Sequence, residues 1–475
     1  MTLQPWGRFT VSDTSLTELF RKASVALHEQ PQPVRAWCCR TFMKLVSSLL
    51  LALAVQAAAP DRFSQLDTRV EQMMKASGVP GAAIAVVKDG AVLHTRGFGV
   101  TSVETNAPVT SKTLFRLGST TKMFVALAVL KLADEGRLRL DQPVSELVPG
   151  LSASVGRVTI EQLMTHTAGL AEDAPMNGPL DESALHARVT GWDESAFIAA
   201  PGEIFSYANP GYVLLGDVIA HVTRQPFSAA MQTLVFEPAG MKDSTFRPLE
   251  AFTRPVALGH DAGGVVRPFA EHAGNYPPGS LFTSAEEMGR VLATLSPATL
   301  ERLAQPRASI VAQGRDYGYG VVIDRRRGPR LILHTGGRTG YGSIFMIAPA
   351  ERVAVALLAS RTGATLSGAA FAALEPYVPL KEIRTASTPV SLSREQAAAL
   401  AGTYVNGPLT VVVMVDEGGT LAVRIGGKAL PAVAVGEDRF YVKGGAQLET
   451  FVIVRDAKGV PRFLCAETWA LRKRS

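Results

Sequence analysis

Residues 123–130 are apolar without a break, and no charge follows until Lys131 and Asp134. A helix lying on a surface would show an apolar stripe, whereas one apolar all round is buried. Gly118 and Ser119 stand where such a helix should begin, and Gly136 where a C′ glycine should end it. Before it, 61–77 has helical spacing, and 81–99 reads as two strands joined at Asp89-Gly90, a hairpin signal. From 111 to about 309 the pattern is mostly helical with long connections. Thr159 and Gln162 form a capping-box pair ahead of a short helix expected to close near Gly169. Residues 212–223 read as a further apolar helix. Ser284 and Glu287 are a second capping pair, ahead of 288–295. Strand-like runs then return at 319–324, 331–335, 343–347 and 352–358, followed by a helix over roughly 368–377.

A hairpin near the start and strands near the end thus flank a long helical insert. The economical arrangement is an α/β (α+β) domain: one mainly antiparallel sheet made from both ends, with the helical part packed beside it. The cleft between the two is the natural site. Composition changes at 385–389, as in a linker. From about 401 to 471 short strands alternate with Gly/Asp turns, which predicts a small β-barrel or sandwich. The expected division is an N-terminal extension with signal at 1–59, a main domain at 62–378, a linker at 379–395 and a β-barrel-like domain at 396–475.

The chain has 475 residues, 47% of them hydrophobic and 19% charged. That permits a large core and argues against global disorder. The formal charge is +6, but six of the 48 Lys/Arg and three of the 42 Asp/Glu fall in 1–57, so the remainder carries 42 against 39, or +3. The one basic run, Arg325-Arg326-Arg327, reads as a hairpin turn, and no nucleic-acid footprint is present. Met43-Lys44 opens a basic start, a short apolar run and small residues, an export signal over about 43–59. The run is short of the roughly 18–20 apolar residues of a membrane span. Translation is expected to start at Met43 and cleavage to follow Ala57 or Ala59, leaving a periplasmic or secreted protein with no stable span. The alternative is an uncleaved anchor with 1–42 in the cytoplasm. Cys465 alone would remain after cleavage, so no internal disulfide is expected, and it reads as a buried small apolar residue.

Lys122 follows Ser119 by three residues. On a helix, i and i+3 share a face, with Cβ atoms about 5–6 Å apart. Free N–H groups at the helix start suit a developing oxyanion. A lysine drawn into apolar surroundings loses hydration, and its pKa falls. Ser119 and Lys122 thus read as a nucleophile and its base, against the plainer reading of a capping serine and a lysine reaching for water. Tyr207, in Phe205-Ser-Tyr-Ala-Asn209, becomes a proton shuttle if nearby cations lower its pKa; otherwise it is an aromatic at a helix entrance. His334-Thr335-Gly336-Gly337 ends a strand, its glycines allowing a ligand to approach closely, with the Gly337 N–H pairing with that of Ser119 as an oxyanion hole. His166-Thr-Ala-Gly-Leu170 is adequately read as a helix end and loop. No G-x-S-x-G elbow and no H-E-x-x-H is present, and the eight histidines are scattered at 28, 94, 166, 186, 221, 260, 272 and 334.

Together these motifs resemble the serine β-lactamase and penicillin-binding-protein superfamily, in the branch of class C β-lactamases, D,D-carboxypeptidases, D-aminopeptidases and family VIII esterases. The resemblance covers roughly 62–378, with Ser119-Thr-Thr-Lys122, Tyr207-Ala-Asn209 and His334-Thr-Gly-Gly337 in the family's order and Leu163–Leu170 as a supporting stretch. It implies that Ser119 is acylated, and that Lys122 and Tyr207 carry its proton to the leaving group and then activate water. It implies that Asn209 positions Lys122 and the substrate amide, that Thr335 holds a substrate carboxylate, and that the backbone at Ser119, Gly336 and Gly337 forms the oxyanion site. His334 takes the place of a lysine in the β-lactamases of this branch. A lysine there is a standing cation, whereas histidine is largely neutral near pH 7. The expected substrates are D-amino-acid peptides, cell-wall-derived ones included, β-lactam-like compounds or small esters. The departure lowers the expectation of an efficient β-lactamase and leaves peptides with a D-residue or small esters. Arg338 is either the replacement charge or a solvated loop residue. No cofactor or metal is expected. The C-terminal part resembles the lipocalin-like β-domain of several relatives, expected to cover an edge or mouth of the main domain or to meet a second subunit. The rival from another class is a non-catalytic binding or sensor protein on the same fold.

Overall fold

The computed structural model describes residues 63–173, 177–267, 271–383, 388–416, 418–444 and 447–474. The signal and the extension before it lie outside the described residues, as does most of the 385–389 linker. Leu66–Ser475 forms one unit. Its frame is an eight-stranded antiparallel sheet in the order Ala91–Gly99, Gly81–Lys88, Val353–Ala359, Tyr341–Ala348, Leu331–Arg338, Val322–Asp324, Arg315–Tyr317, Ala308–Ile310. The N-terminal hairpin joins the C-terminal strands directly, with Ala82 opposite Ala359 and Lys88 opposite Val353. Its turn has φ 52° at Asp89 and 77° at Gly90, the two positive values a two-residue hairpin turn requires. Gly81–Lys88, Tyr341–Ala348 and Val353–Ala359 are buried nearly throughout, which is why they read as continuous apolar runs rather than alternating ones. The Ala285–Thr294 and Ser367–Leu374 helices pack on this sheet.

The apolar stretch forms the Thr121–Asp134 helix, led in by a 3₁₀ turn at Gly118–Thr120. Of residues 123–130 only Leu127 is not fully buried. The helix packs against the Asn209–Thr223 and Tyr276–Gly279 helices, and the Gly136 N–H closes it on Ala133 O at 3.0 Å.

Several boundaries differ from expectation for local reasons. The Thr159/Gln162 capping box is made, but its helix is only Ile160–Met164, because His166 already has φ 57°. The second capping pair is half made. Ser284 accepts from the Glu287 N–H, but the Glu287 carboxylate takes the Asp243 N–H at 2.8 Å and the Ser244 hydroxyl at 2.6 Å instead.

The C-terminal part is a closed barrel and not a sandwich. Eight strands from Gly402–Asn406 to Trp469–Lys473 close through Tyr404 opposite Lys473 and Val405 opposite Arg472. The Arg394–Leu400 helix, with its Ser393/Gln396 capping box, contributes Ala397 and Leu400 to the barrel core. The outer face of the barrel's closing hairpin sets Phe463, Cys465 and Ala470 against Ile198, Ala199 and Ala312 of the main domain. Cys465 is buried, and burial pushes its thiol up to about 12.

Candidate active site

The site begins at a backbone contact. Gly118 turns with φ 58°, and a Cβ there would lie 2.7 Å from Gly337 N. A Cβ on Gly336 would lie 1.9 Å from Leu117 O. The first glycine of the strand's pair therefore makes room for the protein's own turn, not for a ligand. Gly337 is exposed, and a Cβ there would meet only Gly363 Cα, at 3.9 Å. The contact brings the Ser119 turn against the end of the Leu331–Arg338 strand, with Ser119 half-buried and Thr335 exposed beside it.

Lys122, in the first turn of the helix, is buried completely. Its Nζ lies 2.8 Å from Asn209 Oδ1, 2.8 Å from Pro278 O and 3.3 Å from Ser119 Oγ. Burial lowers its pKa from 10.5 to about 7, with the Glu172 carboxylate pulling it back up and Arg338 pushing it further down. A neutral amine has two N–H donors and one lone pair. Pro278 O can only accept, and so can the Asn209 oxygen, so the two N–H groups are taken and the lone pair is left for the Ser119 hydroxyl.

The orientation of Asn209 is fixed from behind. Glu172 accepts from Asn209 N–H and Nδ2, both at 2.9 Å. A carboxylate offers no donor, so Nδ2 must face it and Oδ1 must face Lys122. Glu172 is itself held by the barrel: its N–H donates to Asn406 Oδ1 at 2.9 Å. Asn406 is buried, and its Nδ2 reaches Ser206 Oγ at 3.1 Å and Ala470 O at 2.9 Å. The neighbouring Tyr207 N–H donates to Thr468 O at 2.9 Å. The barrel thus covers an edge of the main domain, directly behind the Tyr207–Asn209 stretch.

Tyr207 departs from the expectation of a lowered pKa. Burial of its hydroxyl raises it, outweighing the opposing pull of Ser119. Lys122 Nζ sits 4.7 Å over the Tyr207 ring rather than at its oxygen, and among the described residues the hydroxyl has no partner of good geometry. Its ring stacks 4.2 Å from that of His166. His166 accepts the Ala208 N–H on Nδ1 at 3.1 Å, and burial, then Lys122, hold its pKa well below the usual value. This histidine is therefore part of the aromatic wall behind Tyr207, more than the end of a loop.

His334 is buried and neutral. Its Nδ1 donates to Thr335 O at 2.6 Å, and its Nε2 faces the Tyr317 hydroxyl at 3.1 Å. Burial, then Lys122, lowers its pKa to about 3. Arg338 is not a solvated loop residue. It is nearly buried and pairs with Glu271 at 2.8 Å, a carboxylate that also pairs with buried Arg116. The two guanidiniums share that one carboxylate.

The structure brings Ser119, Lys122, Tyr207, Asn209 and the His334–Gly337 strand end together. The sequence reading missed Glu172, Pro278, His166 as a wall residue, and Asn406. Only His166 had a signal, as part of the Leu163–Leu170 stretch.

The comparisons with known proteins agree with this architecture. The curated relative "Protein flp" of Staphylococcus aureus (strain MW2) is 28% identical over 318 residues, covering 63% of this chain and 63% of the relative. The chain thus spans less than two thirds of that relative's length. "Penicillin-binding protein 4" of Amycolatopsis lactamdurans is 36% identical over 186 residues, 38% of this chain and 49% of the relative. Among solved structures, that of SurE with D-Leu superposes with a TM-score of 0.71 at 26% identity, covering 86% of this chain and 99% of that one. An octameric penicillin-binding protein homologue from Pyrococcus abyssi superposes at 0.61, also 26% identical, covering 87% of this chain and 100% of that one. A family model described as Beta-lactamase matches residues 66–375, and the chain belongs to that family, with a closed β-barrel joined to its C-terminal side.

Proposed function

We propose that this chain is a serine hydrolase that forms an acyl-enzyme on Ser119, with neutral Lys122 as the base. The observation that carries the proposal is the set of contacts around Lys122 Nζ, which leaves its lone pair for the serine hydroxyl. In this reading the Ser119 proton passes to Lys122 as Oγ bonds to the substrate carbonyl carbon. The oxyanion takes the N–H groups of Ser119 and Gly337, with Gly336 allowing the strand to lie close. The proton reaches the leaving group through the Tyr207 hydroxyl, which acts as a neutral relay, accepting one proton while donating another. A water molecule, deprotonated along the same route, then releases Ser119.

The substrate is an amide or ester, and peptides ending in a D-residue fit best. Thr335 and the Arg338 guanidinium would receive the carboxylate, since neutral His334 brings no cation. The D-Leu bound by SurE and the name of the Amycolatopsis relative support this class. Export guided by 43–59 would place the enzyme beside cell-wall peptides, and N-terminal sequencing of the native protein tests that.

The deciding experiment incubates residues 58–475 with a p-nitrophenyl short-chain ester, alongside a Ser119→Ala control. Release by the native chain alone is expected. If neither releases, intact-mass analysis after penicillin treatment decides. An adduct lost in Ser119→Ala keeps the acyl-serine reading with a narrower substrate, and no adduct leaves the fold as a binding protein.

A further inference from the structure

The Asn209–Thr223 helix carries a second polar group, on the far side from Ser119. Asp217 and His221 lie one helical turn apart on it, and His186 approaches from the Ser183–Thr190 helix. His186 Nδ1 lies 3.0 Å from one Asp217 oxygen, and His221 Nδ1 lies 3.3 Å from the other and 2.9 Å from the Asp217 main-chain carbonyl, a hydrogen bond that it would give up to a metal ion. The two imidazole rings are 4.9 Å apart. One donor atom from each residue lies within 4.8 Å of the others. The Asp217 carboxylate is 3% exposed, and among the described residues no lysine or arginine pairs with it. The two imidazoles are 41% and 29% exposed, and all three residues line a cavity of about 840 Å³ with Leu180, Glu182 and Tyr276. Glu182 is already engaged, by the Ser228 N–H at 2.8 Å and by Arg247 at 3.3 Å.

Two imidazoles and a carboxylate can satisfy one another through protons alone. Their spacing also suits a metal ion. Ligands about 2.0–2.1 Å from a tetrahedral zinc stand about 3.3 Å from one another, close to the two nitrogen–oxygen separations here. The wider spans close with a shift of about 1 Å at each ring. A nitrogen-rich mixed set favours zinc, copper or nickel over calcium or magnesium. The buried carboxylate supplies the negative charge, and the cavity supplies an entry path and room for a further ligand.

We propose that His186, Asp217 and His221 form a divalent transition-metal site of the zinc class, with an open coordination position facing the cavity. The ion would tie the two helices together at a point remote from Ser119.

The test uses the full chain, purified without a histidine tag and stripped with chelator, titrated with Zn²⁺ by calorimetry and with Co²⁺ by visible absorption. One equivalent of Zn²⁺, tetrahedral Co²⁺ bands and a rise in unfolding temperature with Zn²⁺ are expected. His186→Ala, a change at a half-exposed position, should weaken binding at least about tenfold, as should His221→Ala, with each variant keeping a cooperative metal-free unfolding transition. Ser119→Ala should bind Zn²⁺ like the native chain, which separates this site from the acyl-serine reading. No binding, or binding retained in the double His186→Ala/His221→Ala variant, would overturn the proposal. A double variant that failed to fold would be replaced by His186→Gln, for which undiminished binding is equally fatal.

Discussion

The two ends of the Asn209–Thr223 helix carry polar groups built on opposite plans. At its start, Asn209 has Glu172 on one side and Lys122 on the other, and each of those has further partners. About 12–18 Å along the axis, at 1.5 Å per residue, Asp217 and His221 meet His186 at the edge of a cavity. The first group is closed: Glu172, Asn209 and Lys122 have their donors and acceptors spoken for, and the remaining lone pair points at Ser119. The second is open, with half-exposed rings and a carboxylate that, among the described residues, no lysine or arginine pairs with. Saturation fixes a geometry to the tenth of an ångström that proton transfer needs. Openness leaves room for an ion or ligand to complete the set.

The largest effect should come from disturbing the closed end at Lys122. Lys122→Arg puts a permanent cation in place of the neutral amine and removes the lone pair, and kcat/KM for a p-nitrophenyl ester should fall about a thousandfold or more. Residual activity near the native level would remove lysine as the base. Tyr207→Phe keeps the ring against His166 and deletes only the relay hydroxyl. A loss of about a hundredfold in kcat is expected, and native turnover would exclude tyrosine from the proton path. Asn406→Ala leaves the Glu172 N–H without its acceptor, costing about 1–3 kcal/mol of stability in denaturant titrations and a smaller loss of activity. Unchanged stability would show that the barrel merely rests on the main domain.

The smallest effect is the most specific. A lysine that titrates near 7 loses its lone pair as the pH falls through that value, so kcat/KM should drop on the acid side with an inflection near 7. The Glu172 charge favours protonated Lys122. Glu172→Gln removes that charge, so the Lys122 pKa should fall and the inflection move to lower pH. An inflection that did not move would mean that Glu172 acts on Lys122 through shape alone.

Much of the closed end could be read from the chain, because its residues sit in short local patterns. Ser119 and Lys122 share a helix face, the apolar run announces burial, and burial implies a depressed lysine pKa. Tyr207 misled in the same terms. Its neighbours include a cation, but the ring, not the hydroxyl, meets it, and burial then works in the opposite direction. Glu172 and Asn406 gave no sign, since they lie 234 positions apart and neither belongs to a motif. The open end was half visible: the Asp217/His221 spacing is a helical one, but only the fold brings His186 across from another helix. The barrel's alternating strands are equally those of a sandwich until the first and last are seen to pair. The edge strand Ala308–Ile310 and its neighbour Arg315–Tyr317 are too short for any period to show.

The hydrogen bonds between the barrel and the Ser206–Tyr207 segment join residues 264 positions apart for Ser206 and Ala470. Contacts so distant along a chain close late, because a large loop must be ordered before they contribute. Refolding from denaturant should therefore recover helical circular dichroism first and ester turnover only after a lag. A chain stalled in that interval would be folded by spectroscopy and silent by assay. Simultaneous recovery of both signals would show that the Tyr207 segment finds its place without the barrel.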